Sequence, residues 1–423
     1  MEASPVPLMD VELDQHAVRQ RFAAALRAGN PLWLWPETTP ERWQAALFEI
    51  DLAARSILSG DPDGASLMGD PGDIGIAAFT SGMGPLLGYW ANANLLKAEP
   101  AVLQVLELHL SHNRDRMDDL AKVAAAAVEA FGEAGIEVTV LKGMHTAYDY
   151  FPVPGSRPAS DIDLWIKPSD ARAANATLSQ LGYLLNATSF GEQNWKLPDT
   201  PAEPRSLSLV HRDGPWSIDL HTTVDCRYST GAPMIQMDRA LRAGERRTWA
   251  LSPAATVLTG PALVLHLAFH ASLGLTSLSM LRLTELVFVI RQLQEADGFS
   301  WEEFGELAAL TGNPGCTYPA LALVNVLAPG TVPDDVVREL QGAAPATVRR
   351  VIAPLSPATC QRVTRCSFEE RFMWTATLGG WTREITDWLF PAIDPSTLCK
   401  IYKMRFWRLV NGTVSRQNPG IAR

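Results

Sequence analysis

Apolar and polar positions change period along this 423-residue chain, and the changes mark its elements. The first period is helical. "TPERWQAALFEIDLAARSIL" (39–58) repeats its apolar residues at helical spacing, with Thr39 as N-cap and Pro40 at the first helical position. A loop rich in Gly, Asp and Pro is predicted over "SGDPDGASLMGDPGDIG" (59–75). Helical text resumes from about Gly82 to Gly132 and ends on the Ala-rich, amphipathic "HNRDRMDDLAKVAAAAVEAFGEAG", which stops at a glycine.

The period then shortens to two. "IEVTVL" reads as a β-branched strand, broken by "KGMHTAYDYF", which opens a helix at Gly143. "VPGSRPAS" is a turn-rich loop and "DIDLWI" (161–166) a second strand. "KPSDARAANATLSQLGY" is a helix capped by Ser169 or Asp170 and stopped by Gly182. A long polar loop, the best candidate for a mobile segment, is predicted over 186–204. "RSLSLVHR" and "WSIDLHTTV" follow as a hairpin turning at "DGP". From Ser252 the pattern is helical again, with "SPAATVLTGPALVLHLAFHASL" and "LSMLRLTELVFVIRQLQEA" apolar on most faces, as central helices are. The expected organisation is an N-terminal helical region (1–130), a small mixed α/β core (131–250) and a C-terminal helical region (251–423). No internal repeat or low-complexity tract interrupts it.

Composition narrows the class. A hydrophobic content of 47% supports a large core and more than one domain. The net charge of -10 argues against a broad nucleic-acid footprint. The first residues lack the basic and apolar regions of a signal peptide. The most apolar stretch is interrupted by His266, His270, Arg282 and Glu285, so no membrane span is expected. The five cysteines are scattered and match no zinc spacing, which points to reduced thiols in a cytoplasmic protein. The aromatic and basic tail, "FPAIDPSTLCKIYKMRFWRLVNG", fits packing within a helical domain better than a membrane surface.

The candidate chemistry lies in "DIDLWI". Residues i and i+2 of a strand share a face, so Asp161 and Asp163 point to one side. Two carboxylates so placed repel unless a cation sits between them, and a hard divalent ion such as Mg²⁺ takes oxygen ligands of this kind. The plain alternative is two solvated aspartates at a strand edge. Asp219 in "WSIDLHTTV" is a third acid on an apolar strand, and His221 shares its face. Lys142 and Gly143 end a strand where a helix begins, a turn that lets phosphate approach the backbone. Arg157, just ahead of the pair, could meet a phosphate. His266 and His270, four apart on a helix, lack the glutamate of a zinc protease motif and read as an interior pair; facing a nucleotide cleft is the other option.

These residues carry a resemblance. "AGIEVTVLKG", "RPASDIDLWI", "LGY" and "DLH", in this order and at compatible distances, resemble the nucleotidyltransferase superfamily typified by DNA polymerase β. More narrowly they resemble the bacterial family called uncharacterised nucleotidyltransferase. The resemblance is densest over 131–223, with weaker echoes in "RDRMDDLAKV", "LHLAFHAS" and "LRLTELVFVI". Lys142-Gly143 stands where the superfamily usually has Gly-Ser, which fits the narrower family; Ser160 stands where the family often has glycine, and Glu285 where an aspartate is commoner.

The resemblance implies an α+β polymerase β-like module, a mixed sheet with flanking helices, embedded between helical regions. It implies a nucleotidyltransferase that moves an NMP from an NTP to a hydroxyl of a small molecule, peptide or protein. Asp161 and Asp163 would bridge two Mg²⁺ (or Mn²⁺) ions. Asp219 would bind the ion beside the attacking hydroxyl and help take its proton. Lys142, Gly143, Arg157 and Ser160 would hold the nucleotide, and His221 would orient the acceptor or Asp219, or serve structure alone. Members of such families occur in bacterial natural-product biosynthesis. Two other functions fit the same fold: a non-catalytic nucleotide- or partner-binding protein, and a toxin-like enzyme acting on protein or tRNA. The acidic charge counts mildly against tRNA.

Overall fold

Seven short strands form one mixed sheet in the computed structural model, which describes residues 19–21, 23–25, 31–35, 37–200, 215–229, 231–274, 278–361, 372–375 and 377–389. They are β1 (Val138–Val140), β2 (Asp161–Ile166), β3 (Leu184–Ser189), β4 (Glu192–Lys196), β5 (Ser217–His221), β6 (Arg246–Trp249) and β7 (Ser252–Leu258). Their spatial order is β3-β4-β5-β2-β1-β7-β6. The central pair, β2 and β5, runs parallel, and β1 joins β2 antiparallel on the other side. Strand β2 covers the predicted "DIDLWI" residue for residue. It is buried from Ile162 to Ile166 and opens to solvent only at Asp161.

Three expectations need correction. The polar stretch from 186 enters the sheet instead of forming a loop, because β3 and β4 pair antiparallel around Phe190-Gly191. Gly191 has φ +72°, and a Cβ there would lie 2.2 Å from Cγ2 of Thr223, so this turn requires glycine. Strand β3 is exposed along its whole length. A polar edge strand carries little apolar alternation, so local pattern reads it as loop. The second correction is β7, predicted as the start of a helix. It pairs parallel with β1 and antiparallel with β6, and the helix begins only at Gly260. A short apolar run fits both periods, and pairing decides between them. Third, the loop at 59–75 ends early. Asp70 caps a helix from Pro71, its carboxylate accepting from the backbone N–H groups of Gly72 and Asp73. The strand expected at 205–212, the tail from 390, Cys366 and Cys399 lie outside the described residues. The second strand of the expected hairpin is present as β5.

Helices precede and follow the sheet. Before it come α1 (Pro40–Leu58), α2 (Pro71–Ser81), α3 (Gly84–Asn92) and α4 (Pro100–Glu133). Within it lie α5 (Lys142–Asp149), α6 (Ala171–Gln180) and α7 (Met237–Ala243). After it, α8 (Gly260–Ser272) and α9 (Met280–Glu295) lead into shorter helices. Two cores result. One packs Val138, Val140, Ile162, Leu164, Ile218 and Leu220 against α6 and the second half of α4. The other joins the opposite face of the sheet, through Leu141, Trp165 and Leu258, to α1–α3, α8 and α9. Helix α4 serves both, with Val102 and Leu106 in one core and Met117 to Phe131 in the other. Among the described residues no helix is long and apolar enough to cross a membrane. The architecture is thus an α+β module between helical regions.

Candidate active site

Strand register brings the three acids together. Asp163 and Asp219 are direct partners across the parallel β2–β5 pair, and Asp161 lies one pleat back on the same face. Each offers a carboxylate oxygen, and these atoms all lie within 4.8 Å of one another. Arg116 of α4 ties the approaches to both strands. Its Nε donates to the Ala159 carbonyl at 2.9 Å and its Nη2 to the Pro215 carbonyl at 3.2 Å. One buried guanidinium thus sets the two strand starts side by side.

Asp163 is the inner carboxylate, 2% exposed. Lys142 Nζ lies 2.8 Å from its Oδ2 and 3.5 Å from Asp161 Oδ2. His221 Nε2 donates to Asp163 Oδ1 at 3.0 Å. Burial by itself would raise the pKa of Asp163. The charge of Lys142 and the His221 hydrogen bond outweigh it and hold the carboxyl well below the usual range. Burial would likewise lower Lys142, but Asp163 and Asp161 raise it, so the ammonium stays charged. The backbone of Lys142 has φ +28°, in the left-handed region that a lysine seldom adopts. The strand-to-helix junction therefore strains at Lys142 and not at Gly143.

Asp219 has a different environment. Burial, then the charges of Asp163 and Asp161, push its pKa up to about 6. Asn194 of β4, its cross-strand partner, donates through Nδ2 to Asp219 Oδ1 at 2.6 Å. Asn186 of β3 in turn donates to Asn194 Oδ1 at 2.8 Å. Neither asparagine is predicted as a site residue, because both fall in the stretch read as a loop.

Arg157 stands apart from the carboxylates. It forms a buried two-point ion pair with Glu285 of α9, with Nε–Oε1 at 2.8 Å and Nη2–Oε2 at 3.1 Å. Thr146 of α5 also donates to Glu285. A Cβ on Gly143 would lie 2.9 Å from Arg157 Nη1, so the glycine makes room for this guanidinium. Ser160 is exposed immediately before β2. Arg282, one turn from Glu285, places a second guanidinium within electrostatic range of Asp161 and Asp163. Both helix histidines also sense the site. Burial, followed by the charge of Lys142, pushes His266 down to about 3 and His270 well below its ordinary value. His266 is buried and His270 half-buried beside it, both within electrostatic range of Lys142.

Three carboxylate oxygens this close form an oxygen donor set suited to a hard divalent cation. Mounted on adjacent strands of a mixed sheet with flanking helices, they define a nucleotidyltransferase module. The chain belongs to the family of uncharacterised nucleotidyltransferases, whose sequence model matches residues 70–329, more than half of its length. No curated protein and no solved structure matches it.

Proposed function

We propose that this protein transfers a nucleoside monophosphate from an NTP to a hydroxyl group of a small-molecule, peptide or protein acceptor. The observation that carries this reading is the meeting of Asp161, Asp163 and Asp219 on one sheet face, in a chain of the uncharacterised nucleotidyltransferase family. The three carboxylates would hold divalent metal, with Mg²⁺ or Mn²⁺ the expected ion. Metal bound there would neutralise phosphate charge and acidify the attacking hydroxyl. Asp219, as a carboxylate ligand beside the attacking hydroxyl, would help take the acceptor proton. The backbone at Lys142 and Gly143, where α5 begins, would meet the phosphates. Arg157 has its fork engaged by Glu285, and Arg282 adds a further positive charge within range of Asp161 and Asp163. His221 acts through Asp163, which it orients.

Purified protein is incubated with each α-³²P-labelled NTP, Mg²⁺ or Mn²⁺ and cell extract, beside an Asp161→Ala/Asp163→Ala double variant. Label transfer that vanishes in the variant is the expected result and reports the preferred base. Tight, metal-independent NTP binding by both proteins without transfer would instead establish the non-catalytic reading. That reading draws on one observation, the ammonium already seated between two of the acids.

A further inference from the structure

The family resemblance implies two metal ions bridged by Asp161 and Asp163, and the surroundings of Asp163 do not suit that arrangement. Both of its oxygens are engaged, Oδ1 by His221 and Oδ2 by Lys142. An ion bridging through Asp163 would have to share one of these oxygens with a group already paired to it. The Lys142 ammonium also lies 3.5 Å from Asp161 Oδ2, so it sits between the two aspartates and competes with an ion they would share. We infer that Lys142 is a built-in cation that replaces one of the two metals, leaving a single divalent ion held on the open side by Asp161 and Asp219. This rests on the nucleotidyltransferase reading above and narrows it.

Three further observations support a resident ammonium. First, Lys142 has little room to leave. Its side chain is only 13% exposed, and Arg282, a like charge, lies near it, as do His266 and His270, which burial keeps neutral. An ammonium swung off the aspartates would trade two carboxylates for a guanidinium and two imidazoles. Second, the junction accepts backbone strain at Lys142, where glycine follows at the very next position. Strain at a charged side chain in a site is the mark of a position that the fold over-determines. Third, the charges balance. Three carboxylates are offset by one ammonium and one divalent ion, whereas a second divalent ion, with Arg282 also in range, makes the cluster strongly positive before nucleotide arrives. Asp161 is 30% exposed, and Asp219 rests on Asn194, so the open side keeps two carboxylates for the remaining ion.

The test counts ions. Bound Mn²⁺ is titrated by the electron paramagnetic resonance of free Mn²⁺, first alone, then with the α,β-methylene analogue of the nucleotide that labels best. Wild type, Asp219→Asn and Lys142→Met are compared. We expect one Mn²⁺ per chain in wild type, its loss in Asp219→Asn, and two in Lys142→Met with the analogue. Two ions in wild type would overturn the inference while leaving the nucleotidyltransferase reading intact. One ion in both wild type and Lys142→Met would also overturn it, because the lysine would then not stand in for a metal. No Mn²⁺ on wild type would overturn both readings. Circular dichroism checks the fold, and Lys142→Gln, uncharged yet still a donor to Asp163, replaces the methionine variant if that one does not fold.

Discussion

Asp219 is held by an amide that it meets only across a strand boundary. Asn194 donates to its Oδ1, and Asn186 fixes Asn194. Such a partner sets the direction in which a ligating carboxylate presents its remaining lone pairs. Asn194→Ala is therefore expected to weaken Mn²⁺ affinity about 10–100-fold, read by the same paramagnetic titration. Its thermal midpoint should change little, because Asn194 is a half-buried polar residue near the sheet edge. A large loss of stability with unchanged Mn²⁺ affinity would give Asn194 a structural role instead.

At the scale of elements, Glu285 joins three of them: α9, which carries it, the segment before β2 through Arg157, and α5 through Thr146. Removing one partner of a buried pair leaves an uncompensated charge, which costs about 3–5 kcal/mol. Glu285→Gln is expected to lose stability of that order at pH 7 in urea unfolding. Burial would raise the pKa of Glu285, but Arg157 overrides this and holds it below its ordinary value. The stabilisation is therefore present above the unfolded pKa of about 4.3 and is lost as pH falls through the lower folded value. The gap between wild type and Glu285→Gln should close in acid over that window. A gap independent of pH would mean that the charge of Glu285 is not what matters.

The whole molecule depends on α4, about 51 Å long at the usual rise, which supplies residues to both cores. His109 lies within it, fully buried, with Nε2 3.3 Å from the Gly75 carbonyl. Burial pushes its pKa down to about 3. The folded state thus stays neutral where the unfolded chain takes up a proton. Stability is intact above about pH 6.5 and falls by about 1.4 kcal/mol per pH unit below it. Urea unfolding should show about 2 kcal/mol less stability at pH 5 than at pH 7.5 from this residue. His109→Gln, which keeps a donor for Gly75, should flatten that part of the dependence. An unchanged slope in the variant would assign it to other groups.

The chemistry was legible locally. Alternation put Asp161 and Asp163 on one face, because a strand's side-chain period is a property of its own backbone. The apolar text around Asp219 and His221 marked β5 in the same way, and the motif order identified the family. The partners were not legible. Asp163 faces Asp219 through a pairing of strands 56 residues apart, and Arg157 finds Glu285 at a separation of 128. Strand β7 and the hairpin of β3 and β4 escaped local pattern because pairing, not periodicity, makes them strands. Lys142 and Arg157 look alike in sequence, two cations ahead of an acidic pair. Only the tertiary structure sends one onto the carboxylates and the other into a buried ion pair, because the nearest opposite charge is decided by packing, not by order along the chain.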